Sequence, residues 1–563
     1  MKRIILGILL TMVALTAFGQ SRALTGTITS AVDGTPVVGA TVQDKTSGQF
    51  AISDVDGNFT IYASEKSGSL LIMCLGFRDY TLALTSAKDY KIEMEADLMM
   101  LDETMVIAYG QGKKTSFTGS ATVVKKEELE KISTSNVTQA LQGLSAGVQV
   151  INSSGQPGSS GSITIRGIGS MNASSSPLYV VDGVAYSGNI NAIAPSDIES
   201  MTVLKDASAT ALYGSRAANG VIVITTKKGS KTASKTPNLA VDFTTSVNTI
   251  AKYNDVLDAD GIRSLIREFY GPASAAESAL GNANTNWQKE IYRTSTSYDA
   301  NVSLGGNIAS VLPYRVSGGF TSQEGTLKGS DMKRGTVSLN LSPTLFDKHL
   351  TINLNGKGTY SKNNYADQGA IGNANHYDPT KPVKDANGLN GYTTWYDQKG
   401  NINSMATLNP VALLNSKTDT ADAYRFIGNA QFDYKVHGLE DLRFNLNLGL
   451  DWAKSNGDKS TALGSEASYH STQESGGGSG ETYDYVRRNT TLEAYADYNH
   501  TFGGKHNLDV MAGYSWQHFW SNSHNQKNRI SDGLEMAKSE GKGELYLISF
   551  FGRANYSFDD RYL

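Results

Sequence analysis

Residues 163–229 read ITIRGIGSMNASSSPLYVVDGVAYSGNINAIAPSDIESMTVLKDASATALYGSRAANGVIVITTKKG. Leu178–Val181 and Val221–Ile224 are short, unbroken apolar runs bounded by glycine and aspartate, the pattern of buried strands. Asp182-Gly183 is a tight-turn pair. Ser196, followed three residues on by Glu199, makes a capping box and predicts a short helix starting there. Asp206 is placed to cap a second helix over Ala207–Tyr213, which Gly214 ends at a position where positive φ is tolerated. Together these features specify a small mixed α/β domain.

Upstream, Asn136 with Gln139 can cap a helix that places Val137, Ala140, Leu141 and Leu144 on one face. Gly143-Leu144-Ser145-Ala146-Gly147 matches the G-x-S-x-G of serine hydrolases. A nucleophile elbow has a strand before its serine and a helix after it. Here a helix precedes Ser145, a strand over Val148–Val150 comes after it, and every histidine lies at or beyond His349. The glycines at 155, 158 and 161 lack a lysine at phosphate-loop spacing, and no H-E-x-x-H pair occurs. The sequence therefore offers no catalytic residue, no metal site and no cofactor site, and the chain is not expected to be an enzyme.

Further out, Lys2-Arg3, the apolar Ile4–Phe18 and the small residues Ala17 and Gly19 form a secretory signal peptide over 1–19. Its apolar segment falls short of the ~20 residues of a membrane span. Leu24–Met94 alternates apolar and polar residues between turn pairs, which predicts a β-sandwich of about seven strands across 20–95. In Asp54-Val55-Asp56-Gly57 the glycine comes too early for an EF-hand loop, so the stretch reads as a hairpin turn. The 563 residues exclude one small domain. Fifty basic against 54 acidic residues leave a net charge of −4, which gives no nucleic-acid signature. A single cysteine, Cys74, excludes an intrachain disulfide framework.

From Ser230 the texture changes. A strand over Leu239–Asn248 and a helical insertion over Asp258–Leu280 precede long alternating runs. Val337, Leu339 and Leu341 alternate with Thr336, Ser338 and Asn340. Phe444, Leu446 and Leu448 alternate with Asn445 and Asn447, and Leu508, Val510, Ala512 and Tyr514 obey the same rule. Period 2 gives each strand one apolar and one polar face. Several runs reach the ~9–11 residues that cross a bilayer when tilted. Tyr360, Tyr498, Phe502, Trp516 and Phe519 are expected near strand ends, as interfacial girdles. A mean hydropathy of −0.31 fits, because only one face of each strand meets lipid. The Gly/Ser-rich Ser471–Gly480 suits an extracellular loop. Residues 230–563 thus read as part of a transmembrane β-barrel, and the chain as mainly β.

The wording of several stretches goes further. ALQGLSAGVQV (140–150), SSGQPGSSGSITIRGIGS (153–170), PLYVVDGV (177–184) and DIESMTVLKDASATALYGSRAANGVIVITTKKG (197–229) closely resemble the plug of TonB-dependent outer-membrane receptors. Within these, the resemblance is to the SusC/RagA family of Bacteroidetes-type bacteria. GTITSAVDGTPVVGATVQDKTSGQFAISDVDGNFTI (26–61) is similar to the carboxypeptidase-regulatory-like domain that precedes such plugs, and NTNWQKEIYRTSTSYDANVSLGGN (284–307) resembles the start of the barrel.

The resemblance implies a plug over 115–229 and, in the linker 96–114, a TonB box at Asp102, Glu103, Thr104, Met105, Val106, Ile107 and Ala108. A periplasmic partner would capture that box by β-augmentation. It implies structural roles in the plug for Arg166, Gly167, Asp182, Gly183 and Arg216. The two arginines would either pair with barrel-wall carboxylates or make ordinary turn hydrogen bonds. The implied partners are the inner-membrane TonB complex, a SusD-like surface lipoprotein, a glycan or peptide ligand, and outer-membrane lipid. Rival readings are a siderophore- or cobalamin-type receptor and a surface binding protein that transports nothing. Tyr392, Trp395, Tyr396, Trp516 and Trp520 could stack on sugar rings or serve as girdle and loop packing. Roughly ten barrel strands, against the 22 of plugged transporters, and an ending in DDRYL that lies mid-barrel in the family lead us to expect a longer chain.

Overall fold

The computed structural model describes residues 21–94, 104–107, 110–113, 120–129, 137–206, 211–229 and 237–558, apart from positions 32, 33, 45, 65–67, 75, 76, 78, 86, 153, 160, 173, 189 and 472. The signal peptide expected at 1–19 lies outside them. No helix among the described residues is long and apolar enough to cross a membrane. Contacts divide the chain into two compact units, the N-terminal domain and the remainder from Thr118 onward, with the linker shared between them.

The N-terminal unit is a sandwich of β1 (Ser21–Ser30), β2 (Thr41–Asp44), β3 (Phe50–Ile52), β4 (Asn58–Ser64), β5 (Ser69–Met73), β6 (Tyr80–Ala83) and β7 (Asp89–Met94). One sheet runs β4-β1-β7 and the other β3-β2-β5-β6. Strict alternation in β4 and β7 sends Phe59, Ile61, Ala63, Ile92 and Met94 inward against Leu24, Ile28, Val42, Leu70 and Ile72. Asp54–Gly57 is a tight turn in which the Asp54 carboxylate accepts from the backbone N–H groups of Asp56 (3.0 Å) and Asn58 (2.8 Å). Its flanking strands, β3 and β4, lie in different sheets, so it is a corner between sheets and not the hairpin expected. In the linker, β8 (Thr104–Ile107) and β9 (Gly110–Lys113) are short strands.

The plug comprises β10 (Ala121–Lys125), β11 (Val148–Ile151), β12 (Ser162–Ile165), β13 (Leu178–Val181), β14 (Val184–Tyr186), β15 (Ile198–Leu204) and β16 (Val221–Thr226). Five of these form a sheet of order β10-β15-β16-β13-β14, and β11 pairs with β12. A short helix, Val137–Ala140, and the Leu141 that follows it bury Val137, Ala140 and Leu141 against the sheet's Val181, Val203, Ile222 and Ile224. Asn136, its expected cap, lies outside the described residues.

The capping box at Ser196 and Glu199 starts no helix. Pro195–Asp197 is one 3-10 turn, and Ile198 already begins β15. Pairing on both edges of β15, with β10 and β16, outweighs a local capping preference worth about 1 kcal/mol. The expected helix Ala207–Tyr213 lies partly outside the described residues. Its described end belongs to a 3-10 segment, Ala211–Ala217, broken at Gly214 with φ 67°.

The large sheet contains β17 (Asn238–Asn248), β18 (Ser295–Ile308), β19 (Leu312–Glu324), β20 (Asp331–Leu341), β21 (Thr344–Leu345), β22 (Leu350–Asn364), β23 (Lys417–Val436), β24 (Leu439–Thr461), β25 (Ser479–Phe502), β26 (His506–Arg529) and β27 (Glu535–Phe558). Its ten long strands run in sequence order from β17 to β27, with the two-residue β21 pairing beside β22. Every pairing is antiparallel. Tight turns join the strands at one end, and the long connections 249–294, 365–416 and 462–478 lie at the other. The insertion after β17 opens with a helix over Ala259–Tyr270, capped by Asp258.

The faces of this sheet are inverted relative to a soluble sandwich. The apolar register is exposed, as at Val337 (63%) and Phe444 (50%), whereas Ser338, Asn340, Asn445, Asn447 and Asp451 are buried. The polar face covers the plug, and the apolar face is the one left for lipid. Trp516 and Phe519 lie in mid-strand in β26, not near its ends as expected. At 24 residues this strand is far longer than the ~9–11 a bilayer needs, so a membrane boundary can fall within it.

Candidate functional site

The hairpin β13–β14 turns at Asp182 (φ 48°) and Gly183 (φ 87°), both left-handed, the geometry that favours the Asp-Gly pair. The Asp182 carboxylate accepts from Thr226 N (2.9 Å), Thr226 Oγ1 (2.7 Å) and, across the interface, Lys357 Nζ on β22 (2.7 Å). Burial alone would raise its pKa. The Lys357 charge and the three hydrogen bonds outweigh burial and hold the carboxyl below the usual range. Asn429 and Asn447, from β23 and β24, donate to the carbonyls of Asp182 (2.8 Å) and Gly183 (3.2 Å).

A second anchor is Asp197. It accepts from Arg315 (2.8 Å), Ser317 (2.8 Å) and Ser338 (2.9 Å) on β19 and β20, all of them buried. Beside it Arg334 donates to the Asn191 carbonyl, and Thr359 to that of Ala192 (3.2 Å).

The third anchor is the strap after β14. The Ser187 carbonyl accepts from two guanidiniums, Arg425 (2.5 Å) and Arg487. Arg425 is itself paired with the fully buried Asp451 (2.7 Å) and lies 3.7 Å over the Tyr186 ring. Gly188 comes next with φ 113°, a conformation that favours glycine, and a Cβ there would sit 2.7 Å from Arg487 Nη2 and push that guanidinium aside.

Of the plug residues that the resemblance singles out, Asp182 and Gly183 belong to this interface. Arg166 and Gly167 form a left-handed turn (φ 58° and 92°), and Arg166 pairs with Asp206 inside the plug at 2.5 Å. Arg216 reaches the wall but meets no carboxylate among the described residues; it donates to Gln517 (3.0 Å) and lies 4.3 Å over the Phe519 ring. Neither arginine makes the barrel-carboxylate pair. The polarity of the interface is the reverse: the plug supplies Asp182 and Asp197, and the wall supplies Lys357 and Arg315.

Of the residues expected to form a TonB box, Thr104–Ile107 is a strand, while Asp102, Glu103 and Ala108 lie outside the described residues. Arg315, Lys357, Arg425, Asp451 and Arg487 were missed in the sequence. Carrying the inward register of each strand past its apolar stretch would have found them. Around Ser145 the order is helix, serine, strand, the reverse of a nucleophile elbow. Two of the loop aromatics are packed, Trp395 against Tyr377 (5.9 Å between ring centres) and Tyr392 beneath Lys384 (3.2 Å), whereas Tyr396 is exposed.

Residues 113–221 match the model of the TonB-dependent Receptor Plug Domain, and residues 24–106 that of the CarboxypepD_reg-like domain. The chain is 37% identical, over 97% of its length, to the TonB-dependent receptor SusC of Bacteroides thetaiotaomicron, of which it covers 56%. The chain belongs to the SusC/RagA family of TonB-dependent receptors. The receptor is also 33% identical, over 97% of its length, to TonB-dependent receptor P3 of Formosa agariphila, covering 54% of it. It thus spans about half the length of the curated relatives it matches. Among solved structures it is similar to the RagAB peptide importer in the "open-open" state, with a TM-score of 0.65, 23% identity, and 81% of this chain and 55% of that one covered. At that identity the likeness speaks for the fold alone.

Proposed function

We propose that this receptor is the outer-membrane component of an energised importer of oligosaccharides or peptides, working with the TonB complex and a SusD-like lipoprotein. One observation carries the reading. The plug keeps its own apolar core, to which the wall contributes only Ile427 among the described residues, and is held to the wall by carbonyl–guanidinium, carboxamide and aspartate contacts. Such contacts can be exchanged for water, so the plug can shift without exposing its core.

Mechanically, Thr104–Ile107 supplies backbone donors and acceptors for β-augmentation by the TonB complex. Tension on the linker then loads β10 first. Among the described strands it is the edge of the plug sheet and pairs only with β15, so it can peel away from the rest. Ligand would enter from the long-loop end, and the pull would open a path beside the plug. The N-terminal sandwich and the likeness to SusC favour this reading over a siderophore- or cobalamin-type receptor. Deleting Thr104–Ile107 should abolish uptake in cells and leave ligand binding by the purified receptor intact; uptake that survives the deletion would reject the importer reading.

A further inference from the structure

The strap after β14 and the segment Ala211–Ala217 meet neighbouring strands of the wall. Asn489 on β25 donates to the Ser187 hydroxyl (3.2 Å) and is paired in register with Phe519 on β26, the ring beneath Arg216. Arg487 stands two positions from Asn489 on the same face of β25. One guanidinium from the plug and one from the wall therefore flank the Asn489–Phe519 pair. The spot lies toward the long connections. Asn447, which holds Gly183, is level with Glu493, and Arg487 is six positions closer to the connection 462–478. That spacing is about 20 Å along the strand.

The charges at this spot do not balance. Asp451 is the carboxylate at the strap, and Arg425 takes both of its oxygens, at 3.0 and 2.7 Å. Arg487 has no carboxylate among the described residues. Its acceptor is the neutral Ser187 carbonyl, which Arg425 also holds, and its Nε–H is buried with nothing to donate to. Arg216 has Gln517 and an aromatic face where a carboxylate would be expected. Burial lowers its pKa, and no neighbouring negative charge restores it. Glu493, deeper on β25, accepts from Asn447 (3.2 Å). Three guanidiniums thus share one carboxylate, while Arg216 and Arg487 both stay partly exposed.

We propose that a carboxylate carried by the ligand seats between Arg216 and Arg487, takes Arg487 from the Ser187 carbonyl and so loosens the strap. A carboxylate meets a guanidinium with charge-assisted, bidentate hydrogen bonds, roughly twice as strong as those to a neutral acceptor. A neutral glycan or peptide gains nothing by that exchange, because its hydroxyls and amides accept no better than the carbonyl already in place. Selection of the ligand and release of the strap thereby fall on one residue. Uronic acids in a glycan and acidic side chains in a peptide present the group alike. The use of a loosened strap in transport rests on the importer reading above; binding of the carboxylate does not.

Calorimetry on the purified full chain in detergent tests this. The acidic probes are hexagalacturonate and end-capped hexaglutamate; the neutral ones are maltohexaose and end-capped hexaserine. At least one acidic probe should bind, about tenfold or more tighter than its neutral counterpart, and which one binds tells whether the carboxylate comes from a sugar or a peptide. Its addition should speed amide exchange in residues 184–188. Arg216→Gln and Arg487→Gln should each weaken the binding about tenfold or more, whereas Arg487→Lys, which keeps the charge, should retain part of it. Arg216→Gln strands no partner charge, so it tests the site apart from any loss of folding. Failure of both acidic probes to bind, equal binding by the neutral ones, or binding unchanged in the double glutamine variant would each overturn the proposal. So would binding that leaves exchange in the strap unaltered. The two readings separate in the Thr104–Ile107 deletion. If acidic binding depends on the arginines while the deletion leaves uptake intact, the importer reading falls and the site stands. If the deletion abolishes uptake while neither acidic probe binds, the site falls alone.

Discussion

Glu466, in a short helix of the 462–478 loop, is 4% exposed and has one carboxylate oxygen buried without a hydrogen-bond partner. Burial pushes its pKa up to about 7 from 4.5, against the pull of hydrogen bonds from the N–H groups of Asn409 and Trp395. The folded state therefore holds this proton more tightly than the unfolded chain. Its contribution to stability is fully present below about pH 4.5 and is lost as pH rises through 7. Glu466→Gln should leave the unfolding free energy nearly unchanged at pH 4.5 and raise it at pH 8, by an amount on the order of 3 kcal/mol at most. Equal shifts at the two pH values would contradict the assignment. Asp182 offers a second test at this scale. Lys357→Met strands a buried carboxylate and should cost about 3–5 kcal/mol, most of it recovered in Asp182→Asn/Lys357→Met. Chemical denaturation of the four proteins measures this, and strictly additive losses would show that the pair is not coupled. Asp182-Gly183 was legible in the sequence because a two-residue turn carries its own φ requirement. Lys357 was not, because its partner lies 175 positions away and no local pattern announces it.

Among the elements, the strap Val184–Gly188 meets the wall at Ser187, whose carbonyl accepts from two guanidiniums, whose N–H donates to Asp451 (3.3 Å) and whose hydroxyl accepts from Asn489 (3.2 Å). A hydrogen bond to a charged group contributes about 1.5–3 kcal/mol. Arg487→Ala should therefore speed amide exchange in the strap by roughly 10- to 100-fold. Exchange in Leu178–Val181, held between β14 and β16, should stay unchanged. If both segments speed up together, the strap is not a separate anchor and the plug responds as one body. The same comparison explains which elements the sequence revealed. Leu178–Val181 and Val221–Thr226 announce themselves because strands buried in a sheet are apolar throughout. β15 hides behind Ser196 and Glu199 because a capping box is a local signal, and pairing with β10 and β16 is not. The packing of the loop 249–294 on the loop 365–416 was equally out of reach. Trp287 and Tyr377 lie 90 residues apart, and only folding brings the two rings edge to face in one buried cluster.

At the scale of the whole molecule the decisive quantity is which face of the large sheet meets what. Alternation alone assigns two faces to each strand but cannot say which is inward, since a soluble sandwich alternates as well. The burial of Ser338, Asn447 and Asp451 against the plug, with Val337 and Leu448 left outside, resolves that ambiguity. The sheet as described has β17 and β27 at its edges. Hydrocarbon tolerates no unpaired strand edge, so any membrane-inserted form has both of them paired. The outward face makes a depth-dependent prediction. Arginine on the lipid face costs about 2–4 kcal/mol at the bilayer midplane and about 0–1 near the interfaces. Val337 lies in the middle of β20, whereas Leu345 sits beside a tight turn at the sheet's end. In folding titrations with lipid vesicles, Val337→Arg should destabilise the receptor by about 2–4 kcal/mol and Leu345→Arg by about 1 or less. In water both sites are exposed and neither change would cost much. Equal, small effects of the two substitutions would therefore mean that this face never enters lipid, and the barrel would have to be abandoned in favour of an aqueous sheet.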